Sequence, residues 1–199
     1  MEKIAANYKL IMWGTLLTVA HININGFQIV PAFIGHIMIM IGLGKLCNEV
    51  GIEYLKDAYK TAKILVIVSV LHWVWRAVFG LIAIVLTGCI EILVFVVELS
   101  LFGDFLNKTV KLLKENDRVK QADKMRNNRM TFIKFYIGVV LVFALALIPK
   151  LQVLGGYPAN TLMLSLKIFL SLIIQTVIRC QVTFNPETVV VKTIESEAK

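Results

Sequence analysis

Charge is what this sequence has least of: 17% of its 199 residues are Asp, Glu, Lys or Arg, against about 25% in soluble domains. Apolar residues make up 58% and mean hydropathy is +0.77, which excludes a sizeable water-soluble domain beside the apolar runs. Cysteine is scarce too. Cys47, Cys89 and Cys180 are odd in number and lack a CxxC spacing, so a disulfide framework is not expected and small core residues are. The three histidines, His21, His36 and His72, never fall three or four residues apart, and HExxH and HxH are missing, so no metal site is read. GxSxG, P-loop, dinucleotide and acidic-cluster signatures are missing as well; neither an enzyme nor a cofactor is expected. The net charge of +8 sits in the segments between apolar runs, which argues against a nucleic-acid partner.

What the sequence does have is long apolar runs, and their lengths predict an all-α, polytopic membrane helix bundle of about six spans arranged as short hairpins. The expected spans are 4–20, 32–45, 59–79, 83–105, 132–148 and 161–178, with a polar tail over 182–199. The first run, flanked by Lys3 and Lys9 and ending Thr18-Val19-Ala20, also has the outline of a secretory signal; an uncleaved span is the reading adopted. Asn25-Gly26 marks a turn before the second span, and Pro31 suits a first helical turn. Leu46–Lys63 sets Leu46, Val50, Tyr54 and Ala58 opposite Glu49, Glu53, Lys56 and Lys60, the pattern of a helix lying along a membrane surface. No polar loop divides the third and fourth spans. The apolar region from Ile64 to Phe102 would be about 58 Å long as one helix, against a hydrocarbon core of about 30 Å. It must therefore fold back between Gly80 and Gly88, either near Gly80 or at Thr87-Gly88, with the choice open. Gln152–Asn160 is expected to be a turn-rich loop. Gly-aromatic-Pro joins at Gly26–Pro31 and Gly156–Pro158 weakly echo each other, as internal repeats do.

Glu91 and Glu98 stand out inside the fourth span. A charge at the bilayer centre costs about 2.5–3.5 kcal/mol on insertion scales, so each needs a partner or a purpose. Seven residues put them on one helix face, roughly 10 Å apart. Glu98 is inside the hydrocarbon layer for either fold-back position, which makes it the leading candidate for holding an ion, proton or solute. Lys167 in the sixth span is the natural counter-charge, and the expected span limits set it nearer Glu91 than Glu98. Asn23, Asn25, Gln28 and His36 are candidates for an outer vestibule, with turn formation as the plainer role of the amides. Lys108, Lys111, Lys114 and Arg118 begin a basic segment suited to anionic lipid, and also to simple topological anchoring.

Eighteen of the 21 Lys and Arg residues fall on the side holding both termini and the two charged segments; only Arg76, Lys150 and Lys167 fall opposite. The positive-inside rule then predicts both termini in the cytoplasm, as an even number of spans requires. Asn107-Lys-Thr109, a nominal glycosylation sequon, would lie on the wrong side for use.

The stretch INGFQIVPAFIG from Ile24 to Gly35, continued by IGLGKL from Ile41 to Leu46, resembles the first hairpin of a group of bacterial multi-pass membrane proteins common in Gram-positive species. Ala32 stands where that pattern has an acidic residue, and His36 where it has an aromatic. The resemblance covers about 25 residues and implies a multi-pass protein of a bacterial plasma membrane, with no activity attached. In size, span count and orientation the chain is also similar to the substrate-capturing subunits of energy-coupling vitamin transporters, a likeness of fold alone. Two functions are therefore expected. One is transport or small-solute and ion binding through intramembrane carboxylates, with a partner membrane subunit or homo-oligomer. The other is an accessory or regulatory role exerted through helix–helix and lipid contacts.

Overall fold

The structure, a computed structural model, describes residues 2–19, 23–24, 27–28, 31–50, 52–79, 84–115, 118–148 and 157–179. These contain six α-helices: α1 (Glu2–Leu17), α2 (Ala32–Val50), α3 (Ile52–Phe79), α4 (Ile84–Glu115), α5 (Val119–Ala146) and α6 (Tyr157–Arg179). Between α1 and α2 a two-residue strand, β1 (Asn23–Ile24), pairs antiparallel with β2 (Phe27–Gln28), Asn23 opposite Gln28.

Each helix packs against the next in sequence, and α6 packs back against α1, so the six close into a ring. Three of them, over Leu55–Phe79, Val119–Leu145 and Thr161–Ile178, are long and apolar enough to cross a membrane. Their outward faces carry Ile64, Ile67, Leu71, Phe135, Leu141, Leu164, Ile168 and Leu172, all exposed. An apolar belt of this extent has no place in water and fits lipid contact.

Close approach of α1 and α2 rests on glycine. A Cβ on Gly35 would meet the Gly14 carbonyl oxygen at 2.5 Å, and one on Gly14 would meet the Gly35 oxygen at 2.7 Å. Gly42 in turn faces Ile11. Small residues let backbones touch where lipid gives no hydrophobic drive for helices to associate.

The structure corrects several expected limits. The surface helix over Leu46–Lys63 does not form as a unit: α2 continues to Val50 and α3 begins at Ile52. Of the expected stripe, Leu46 and Ala58 are buried in the core, as are neighbouring Cys47 and Leu55, while the side chains of Val50 and Tyr54 lie outside the described residues. The fold-back after α3 follows the earlier of the two positions, because α3 ends at Phe79 and Gly88 lies inside α4. α4 runs past its expected end at 105 to Glu115, and α5 starts at Val119, so most of the basic segment is helical. At 32 and 28 residues these helices are about 48 and 42 Å long, more than the thickness of a hydrocarbon core. α6 begins at Tyr157 within the expected loop, since Pro158 is compatible with a first helical turn.

Candidate functional site

Inside the ring, five helices each direct one polar side chain to a common point: His36 from α2, Ser69 from α3, Glu98 from α4, Tyr136 from α5 and Lys167 from α6. All five are buried. The level is set by register. Ser69, Tyr136 and Lys167 each lie ten residues from the nearer end of their helices, at Phe79, Ala146 and Tyr157, a depth of about 15 Å.

Glu98 is the hub, at 2% exposure. Lys167 Nζ is in ion-pair and hydrogen-bond contact with its Oε1, and the Tyr136 hydroxyl donates to Oε2 at 2.6 Å. His36 Nε2 lies 3.5 Å from Oε1 without completing a hydrogen bond, while its Nδ1 is 2.7 Å from Ser69 Oγ. The carboxylate beside Nε2 favours the tautomer with its proton there, and Ser69 then donates to Nδ1. Lys167 also sits over the Phe102 ring, 5.5 Å from its centroid. Placing opposite charges and a hydroxyl donor on one buried carboxylate is what lets it persist away from water.

A cavity of about 90 Å³ adjoins this cluster and is lined by His36, Ser69, Glu98 and Lys167 at its inner end. It continues along α3 and α4 past His72 to Glu91 and the exposed Arg76. Its walls include two edge-to-face aromatic pairs, Phe33–Trp73 and Phe95–Phe143. On the other side of Glu98 the interior is filled by buried Leu101, Phe102, Phe105, Phe132 and Leu170. The space therefore communicates with the Arg76 end of the bundle and is shut towards the basic end. A cavity of this volume, with polar groups among its apolar walls, has room for several waters or one small solute.

The sequence-predicted residues divide as follows. Glu98, Glu91, Lys167 and His36 all line the one cavity. The expected pairing of Lys167 with Glu91 is overturned, for Lys167 pairs with Glu98. The cause is register: α6 starts four residues before the expected Thr161, which sinks Lys167 about 6 Å deeper. Asn25 lies outside the described residues, as do the side chains of Asn23 and Gln28, whose backbones form the β1–β2 pair. Lys108, Lys111, Lys114 and Arg118 are far from the cavity at the opposite end, where Lys111 lies 3.9 Å from Glu115. Ser69 and Tyr136 escaped the sequence reading. A hydroxyl in an apolar helix is an ordinary residue until its facing partner is known. The one available hint was the four-residue step from Phe132 to Tyr136, which puts both on one buried face.

Away from the cavity, the Tyr8 hydroxyl and Thr109 Oγ1 lie 3.2 Å apart, linking α1 to α4 across the ring. Thr109 also donates to the Phe105 carbonyl at 2.9 Å, so the threonine of the nominal sequon serves packing. Compared with known proteins, the chain matches no family model, no curated protein and no solved structure.

Proposed function

We propose that the protein is a six-span membrane protein, both termini cytoplasmic, that binds and passes a small solute or ion through the cavity beside Glu98. The observation that carries this reading is a buried, charge-lined cavity closed at one end by apolar side chains and continued to Arg76 at the other. Glu98 and Lys167 are its internal ionisable groups, and Glu91 stands between them and the opening. The concentration of Lys and Arg towards the opposite end supports a cavity facing outward across a bacterial plasma membrane. The basic ends of α4 and α5 suit anionic headgroups there. A partner membrane subunit or a second copy fits the same reading.

Full satisfaction of the Glu98 carboxylate by Lys167 and Tyr136 favours a second reading, in which the cluster locks five helices of an accessory protein. Purification from native membranes, with bound small molecules identified by mass spectrometry, separates the two. The transport reading expects a molecule that is present on the native protein and lost from a folded Glu98→Gln/Lys167→Met double variant. Equal contents in both proteins would favour the structural role.

A further inference from the structure

We propose that the outer part of the cavity, between Glu91 and Arg76, is a recognition site for a small zwitterion carrying one carboxylate and one ammonium group. This rests on the solute-binding reading above and names its chemical class. Glu98 and Lys167 offset each other as an ion pair, and Glu91 and Arg76 are the remaining acidic and basic side chains lining the cavity, close enough to act on each other through space. No salt bridge joins either to another residue among those described. A single negative and a single positive group at one cavity are complementary to a ligand bearing one of each, whereas a simple cation or anion would leave one of them unmatched.

Two further observations point to a ligand. His72 Nε2 is buried, lacks a hydrogen-bond partner and belongs to a side chain lining this part of the cavity. Buried polar atoms are normally satisfied, so it is free to meet a ligand there. The aromatic pairs Phe33–Trp73 and Phe95–Phe143 wall the same space. Aromatic faces attract ammonium and quaternary ammonium groups. The ammonium end then lies against Glu91 and the rings, and the carboxylate end towards Arg76. The volume of about 90 Å³ limits the ligand to a small one.

Isothermal titration of the full-length protein in lipid nanodiscs tests this, using alanine and glycine betaine as zwitterions, choline as the cation and acetate as the anion. At least one zwitterion should bind, with choline and acetate each about tenfold weaker or worse, which is the worth of one charged contact. Glu91→Gln and Arg76→Gln should each weaken the zwitterion about tenfold with the circular dichroism unchanged, and Arg76→Lys should keep most of the affinity. Choline or acetate binding as tightly as the zwitterions would overturn the assignment, as would variants that bind like the native protein. If neither zwitterion binds while a Glu98-dependent molecule still co-purifies, the zwitterion class is wrong and the solute-binding reading stands. If neither is seen, both fail.

Discussion

Taking the ammonium from Lys167 while leaving Glu98 in place strands a carboxylate at 2% exposure with a tyrosine hydroxyl as its remaining hydrogen-bond donor. Removing one member of a buried pair typically costs about 3–5 kcal/mol. Lys167→Met is therefore expected to destabilise by that amount, and Glu98→Gln/Lys167→Met to recover most of it. Denaturant unfolding in detergent with matched slopes measures both, and a double variant no better than the single would break the pairing. Tyr136→Phe should cost about 1.5–3 kcal/mol, as a hydrogen bond to a charged acceptor. Glu91 gives the contrast. It is only partly buried and has no salt bridge among the described residues, so Glu91→Gln should leave stability within about 1 kcal/mol of native. At this scale much of the site was legible. Glu98 and Glu91 announced themselves because lipid rejects charge, and Lys167 and His36 did so for a related reason. Ser69 and Tyr136 cost little in an apolar helix, so nothing in the sequence distinguished them from filler.

Helix contacts explain why the partner of Lys167 was misjudged. An apolar run gives the length of a span to within a turn, but a shift of four residues moves a side chain by about 6 Å. That is enough to change which carboxylate it meets. Pro158 obscured the start of α6, because proline ends many helices and also begins them. The amphipathic stretch after Lys45 misled for a different reason. A stripe facing the bundle and a stripe facing a membrane surface have the same period, and only burial of Leu46 and Ala58 tells them apart. Gly35 and Gly42 of α2 are where that helix comes closest to α1. Gly35→Ala puts a methyl group 2.5 Å from a backbone oxygen of α1 and 2.8 Å from the Thr18 nitrogen. It should destabilise by about 1–3 kcal/mol. Gly103→Ala and Gly138→Ala meet nothing within 4 Å, and each should be neutral or stabilising by up to about 1 kcal/mol through helix propensity. Thermal unfolding of the three variants side by side checks this, and equal effects would contradict the α1–α2 packing.

The molecule as a whole is a closed ring of helices with lipid-compatible residues outside and a polar interior shared by five of its members. Each helix alone carries a polar group that a bilayer disfavours, and the ring removes those groups from lipid by bringing them to one another. Orientation belongs to this scale. With Lys111 replaced by cysteine near the basic end and Val78 replaced by cysteine near the Arg76 end, a membrane-impermeant maleimide should label the two from opposite sides of intact cells. The Lys111 position should be reached only from the cytoplasm. Labelling of both from one side would exclude the antiparallel arrangement and the six-span count with it.

Accessibility of the deep cavity wall tests the central claim most directly. On a background with Cys47, Cys89 and Cys180 replaced by alanine, Ser69→Cys reports the cavity. Leu101→Cys reports the apolar layer beyond it. A small, impermeant methanethiosulfonate applied from the Arg76 side should modify the cysteine at 69 and spare the one at 101, with no reaction from the opposite side. Equal protection of both positions from either side would mean a dry, closed interior, and the carboxylate at its centre would be a fastening between helices with no solute to meet.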